Sequence, residues 1–76
     1  MTITIRYFAS LREQVGRAED RLEIDAATTV GEAWQRLHGQ AMPARVLAAV
    51  NQEYVAADHR LADGDEVAFF PPVTGG

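Results

Sequence analysis

Thr29-Val30-Gly31-Glu32-Ala33-Trp34-Gln35-Arg36-Leu37-His38-Gly39-Gln40-Ala41 is the stretch on which the fold turns. Thr29 and Glu32 stand at capping-box spacing: the threonine oxygen accepts from a free first-turn amide, and the glutamate reaches back to the threonine's own amide. Val30, Trp34, Leu37 and Ala41 then follow at helical spacing with Ala33 beside them. That makes one apolar stripe, suited to lie across a sheet with Trp34 in the core. The helix is expected to end before Pro43, which a helix interior does not accommodate.

Outward from this helix the chain reads as strands. Upstream, Arg21-Leu22-Glu23-Ile24-Asp25 alternates, placing Leu22 and Ile24 inward. Earlier still, Ile3, Ile5 and Tyr7 alternate with Thr2, Thr4 and Arg6, the period of a half-buried strand. Between them Ala9–Val15 favours a short helical turn closed by Gly16, so the two strands form an antiparallel hairpin with an elaborated connection. Downstream, Val46–Val50 is a continuous apolar run, as in a strand covered on much of both faces. Asn51-Gln52 turns it into a weaker strand, Glu53-Tyr54-Val55. Asp63-Gly64 is a turn signal before the last strand, Glu66–Phe70. Pro71-Pro72 ends pairing there, because proline donates no ladder hydrogen bond. The expected fold is therefore α+β: a mixed sheet with one main helix packed on one face. The order and size match the β-grasp, or ubiquitin-like, arrangement, in which the first and last strands lie parallel and adjacent. Residues 1–70 form the body and 71–76 a tail.

Seventy-six residues make one small domain with one core. Cysteine is absent, so neither a disulfide nor a thiolate-bound metal staples the fold, and 47% apolar residues carry its stability. The seven basic residues, 6, 12, 17, 21, 36, 45 and 60, are all arginine. With no thiol and no ε-amine, covalent chemistry is left to the chain ends. A net charge of −4 suits neither a nucleic-acid backbone nor an anionic membrane surface. Residues 1–6 lack the features of a signal peptide, and no segment approaches 18 apolar residues, so a cytoplasmic protein is expected.

The tail carries the chemistry. Two prolines stiffen its exit, and the six residues after Phe70, at about 3.3 Å each, extend to roughly 20 Å, a length that can enter another protein's pocket. Gly75 and Gly76 bring no side chains, so a narrow channel can close around them. A terminal carboxylate, with a pKa of about 3.5, is ionised and a poor electrophile. Conversion to an acyl-adenylate supplies a leaving group that a sulfur nucleophile can displace. The chain has no phosphate-cradling glycine loop, so ATP chemistry falls to a partner.

Tyr7-Phe8-Ala9, Leu11-Arg12-Glu13, Val15-Gly16, Leu47–Asn51 and above all Asp63–Gly76 make the chain resemble the MoaD/ThiS family of ubiquitin-like sulfur carriers. Within that family it is similar to the small subunits of molybdopterin synthase. The resemblance runs end to end, though 18–45 matches only in pattern. It implies that Gly76 is adenylated by an ATP-dependent activating enzyme and converted to a thiocarboxylate, with sulfur from a persulfide protein. It implies that the tail, Pro71, Pro72, Val73 and Thr74 included, enters the synthase large subunit. Sulfur would pass there to cyclic pyranopterin monophosphate, with two transfers per molybdopterin. Two small and two large subunits would assemble, the catalytic side chains would belong to the large subunit, and this chain would be a non-catalytic carrier with no permanently bound cofactor.

A docking face follows from phase alone. If Ile3, Ile5 and Tyr7 point inward, Phe8 points out; if Val67 and Phe69 point inward, so does Phe70 point out. An apolar patch beside a protruding tail is a docking anchor, and Leu61 is expected to join it. His38 and His59 have no third ligand in sight, so no metal site is expected and both read as surface or partner-contact histidines. Arg12 reads as a solvated helix residue or a partner's ion pair. Asp63, Asp65 and Glu66 read as turn chemistry rather than a hydrolytic site. Three other functions compete: a sulfur carrier for the thiamine thiazole, a ubiquitin-like protein modifier, and a plain interaction module. The double proline argues against the first of these.

Overall fold

The computed structural model describes residues 1–72. Its elements are β1 (Thr2–Tyr7), α1 (Ala9–Val15), β2 (Glu19–Glu23), α2 (Val30–His38), β3 (Leu47–Val50), β4 (Glu53–Val55) and β5 (Glu66–Phe70). The five strands form one sheet in the order β2-β1-β5-β3-β4. β1 runs antiparallel to β2 and parallel to β5, and β3 runs antiparallel to β5 and β4. This is the β-grasp.

The core lies between one sheet face and the helices. Alternation places Ile3, Ile5, Tyr7, Val67 and Phe69 on that face, and Val30, Ala33 and Trp34 of α2 cover it. The capping box forms as expected: the Glu32 amide donates to Thr29 Oγ1 (3.2 Å), and the Thr29 amide donates to Glu32 Oε1 (3.3 Å). α2 stops at His38, because Gly39 takes φ 74° and its amide returns to Gln35 O (2.8 Å). Ala41 therefore leaves the stripe and is exposed, a correction to its expected place. β2 also starts two residues earlier than its alternation indicated, at Glu19.

Leu61 requires a second correction. It is 3% exposed and belongs to the core, so it adds nothing to a surface patch. The cause is how the β4–β5 connection meets the start of α2. Val30 donates to His59 O (2.9 Å), Gly31 to Ala57 O (2.8 Å), and Leu61 to Thr28 O (2.9 Å). The first two bonds satisfy first-turn amides that a helix leaves unpaired, and together the three roll Leu61 inward. The approach is close enough that a Cβ at Gly31 would meet Ala57 O at 3.3 Å.

The acidic turn residues do backbone work. Asp63 accepts from the Thr2 amide (2.8 Å) and Asp65 from the Ala62 amide (2.8 Å). Asn51 and Gln52 both have positive φ, 50° and 73°, as a two-residue hairpin with matching twist requires. The Asn51 side chain then ties that hairpin to the Asp63 turn, donating to Asp65 (2.9 Å) and accepting from the Glu66 amide (3.0 Å).

His38 is half-buried, not the surface residue its isolation in the sequence implied. Tyr7 Oη donates its only proton to Asp20 Oδ2 (2.8 Å), so His38 Nε2, 2.8 Å from the same oxygen, must be the protonated nitrogen. Arg17 also donates to Asp20. Burial pushes the Tyr7 hydroxyl pKa upward, and the Asp20 carboxylate adds to it. Burial holds the His38 pKa below its ordinary 6.5; Arg17 reinforces this and Asp20 opposes it. The unfolded chain therefore takes up a proton below about pH 6.5 that the folded chain resists, and stability declines as pH falls through that value. In His38→Gln this component of the slope should disappear, checked by urea midpoints measured on either side of pH 6.5.

Candidate functional site

The face of the sheet turned away from α2 carries an apolar patch. Outward positions on β5 are Glu66, Ala68 and Phe70, and register places Ala49 beside Ala68 and Leu47 beside Phe70. Tyr54, paired with Ala49 across the hairpin, extends the patch to the sheet edge. Tyr54 is 76% exposed, and its ring centroid lies 5.5 Å from that of Phe70. Phe8 follows β1 one step beyond the Tyr7–Phe69 pair, is 46% exposed, and donates its amide to Phe69 O (3.1 Å). An Arg6–Glu66 ion pair (3.3 Å) borders the patch. So fully exposed an aromatic beside a half-buried one is costly in water, and an apolar patch with a charged margin is the usual form of a protein-docking face.

Of the residues singled out from the sequence, Phe8 and Phe70 sit on this face. Pro71, half-buried, and Pro72, exposed, follow Phe70 directly. Val73, Thr74, Gly75 and Gly76 lie outside the described residues. Sequence reasoning missed Leu47 and Tyr54. The signal that identifies them is the two-residue turn: once Asn51-Gln52 sets the β3–β4 register, Tyr54 must share a face with Ala49, and Leu47 with it.

Arg12 is exposed, and among the described residues it forms no ion pair within 4.0 Å. His59 is exposed. Among the described residues no group of three His, Cys, Asp or Glu side chains comes together as a metal site would require, and no helix is long and apolar enough to cross a membrane.

Comparison with known proteins bears on the same features. Residues 5–76 match the ThiS family. The molybdopterin synthase sulfur carrier subunit of Escherichia coli is 48% identical, over 97% of this chain and 99% of its own. The crystal structure of small archaeal modifier protein 1 from Haloferax volcanii superposes with a TM-score of 0.83 at 30% identity, covering all of both chains. A putative molybdopterin converting factor subunit 1 from Pyrococcus furiosus superposes with a TM-score of 0.79 at 28% identity, over 96% of this chain and 99% of that one. With a family match over nearly its whole length and a full-length relative at 48% identity, the chain belongs to the ThiS family.

Proposed function

We propose that this chain is the sulfur carrier of molybdopterin synthase and works in molybdenum cofactor biosynthesis. The observation that carries the reading is the end-to-end identity of 48% with the Escherichia coli molybdopterin synthase sulfur carrier subunit. The chain's own residues agree: it has no cysteine and no lysine, and it carries the glycine pair Gly75-Gly76 after Pro71-Pro72-Val73-Thr74.

In this reading the Gly76 carboxylate attacks the α-phosphate of ATP on an activating enzyme and pyrophosphate leaves. The outer sulfur of a persulfide then displaces AMP to give an acyl disulfide, and a thiol attacks the donor's sulfur, breaking the S–S bond to leave the thiocarboxylate on Gly76 and a disulfide on the donor side. Gly75 leaves the channel around it unobstructed. The large subunit takes the tail, with Phe8 and Phe70 on the docking face and Pro71 to Thr74 leading inward. Sulfur passes there to cyclic pyranopterin monophosphate, and water restores the carboxylate. This chain contributes a reacting end and a docking face, while the catalytic side chains belong to the large subunit. Two carriers serve one dimer of large subunits in the cytoplasm, and no cofactor stays bound to the carrier.

Intact mass decides the matter. After incubation with an activating enzyme, ATP and a persulfide donor, one oxygen should be replaced by sulfur, and the charged carrier should convert the pterin precursor when the large subunit is added. An unchanged mass defeats the proposal.

The likeness to an archaeal modifier protein favours one second reading, attachment of this chain to other proteins through Gly76. It would appear as isopeptide-linked adducts of higher mass in cell extracts, with single attachments only, since this chain offers no lysine for a second copy.

A further inference from the structure

Asp63-Gly64 is the chain's one Asp-Gly pair, and no asparagine precedes a glycine. An aspartate Cγ stands within ring-closing reach of the next residue's amide nitrogen, and a glycine there brings no side chain to hinder attack. The nitrogen bonds to Cγ, and the amide proton, one proton from solvent and a carboxylate oxygen depart as water, leaving a five-membered succinimide. Water then opens the ring. Breaking the Cγ–N bond restores aspartate, whereas breaking the bond from the main-chain carbonyl carbon to nitrogen leaves isoaspartate, whose backbone runs through Cβ and Cγ. Nothing is oxidised or reduced in either step. Asp63 and Gly64 are both exposed, so water reaches them.

The fold opposes this chemistry at both reacting groups, and Thr2 supplies the restraint. The Gly64 amide donates to Thr2 O (2.8 Å), and Asp63 Oδ1 accepts from the Thr2 amide (2.8 Å). A succinimide nitrogen carries no hydrogen, so the ring cannot form while the Gly64–Thr2 bond is made. The backbone adds a second restraint. The Asp65 amide donates to Ala62 O (3.1 Å), and within that turn φ is positive at Gly64 (83°) and not at Asp63, the pattern of a type II turn. Ring closure swings the Gly64 nitrogen round to eclipse Cβ, away from the ψ of about +120° that such a turn gives Asp63. We propose that Asp63-Gly64 is an isoaspartate-forming site restrained by Thr2, and that opening of the Gly64–Thr2 hydrogen bond sets its rate of conversion. Thr2 is the first residue of β1, and chain and strand ends open at lower free energy than strand centres. Conversion lengthens the backbone by one methylene immediately before Asp65, which accepts from the Ala62 amide and from Asn51, and before β5, which ends at Phe70. The modification therefore displaces the strand that carries the docking face, and it is independent of the sulfur chemistry proposed above.

Trypsin cleavage after Arg60 releases Leu61–Gly76, a peptide that retains Asp63-Gly64 and lacks Thr2. The full chain and this peptide are aged side by side at neutral pH and physiological temperature. Succinimide is read as the loss of one water, isoaspartate by methylation of its free α-carboxylate with an isoaspartyl methyltransferase, and position by peptide mapping. The peptide should convert at Asp63 at least about tenfold faster than the folded chain. Urea below the unfolding transition should raise the hydrogen-exchange rate of the Gly64 amide and the conversion rate of the full chain by the same factor. Equal rates in chain and peptide, no isoaspartate in the peptide, isoaspartate at another aspartate in place of Asp63, or conversion that does not follow Gly64 exchange each overturns the proposal.

Discussion

Phe69→Ala should cost about 3–5 kcal/mol and lower the melting temperature by roughly 15–30 °C, the largest single-residue effect expected in this domain. Phe69 is fully buried on β5, stacked on Tyr7 with centroids 6.1 Å apart and set edge-on to Trp34 at 4.9 Å. It also joins the two halves of the sheet, since Tyr7 and Ala48 pair with it from opposite sides. Truncation removes the ring's apolar burial and leaves a cavity whose walls, in β1, β3 and α2, are held by their own hydrogen bonds and cannot close on it. A domain of this size has a net stability near the low end of 5–15 kcal/mol, so the variant should be partly unfolded at physiological temperature. Thermal melts by circular dichroism measure this, with Phe70→Ala as the internal comparison. Phe70 is next in sequence, equally aromatic and half-buried on the outer face, so its loss should lower the melting temperature by less than half as much while weakening docking. Equal shifts for the two would contradict the assignment of faces.

Deleting Gly75 and Gly76 should have the opposite signature. Sulfur loading, read by intact mass, should fall below detection, and molybdopterin formation should fall with it. The melting temperature should stay within about 2 °C, because glycines at a chain end bring no side chain to bury. Among the described residues the buried cluster ends at Phe69, and Pro71 and Pro72 add only partial cover. A truncated chain that still supported molybdopterin synthesis would show that the reacting group is not at the tail. One that unfolded would show that the tail is part of the core.

Particular elements show how much was legible beforehand. The Thr29–Glu32 capping box, the period-2 strand at Thr2–Tyr7 and the Asp63-Gly64 turn depend on neighbours within four residues, so their structure could be read from local chemistry. Phe8 and Phe70 were legible as outward residues for the same reason, since strand phase is local. Ala41 was misplaced because helical periodicity continues on paper past Gly39, whereas the backbone stops where glycine takes a left-handed φ. Leu61 was misplaced because no local pattern records that its loop hydrogen-bonds to the first turn of α2, more than twenty residues upstream. Tyr54 was overlooked because its face depends on register with β3 and β5.

By itself the amino-acid order determined what is short-ranged or carried by composition: which segments become helices and strands, which side chains alternate inward, the absence of thiol and amine side chains, and a glycine-tipped tail as the reactive candidate. Tertiary structure decided what requires distant segments to meet. It sent Leu61 inward, drew Tyr54 beside Phe70, fixed the His38 tautomer through Tyr7 and Asp20, and left the Trp34 N–H facing no partner. The physical reason is one of range: torsional preferences and side-chain phase act over a few residues, whereas burial and hydrogen-bond satisfaction are settled only when the sheet and helices close on one another.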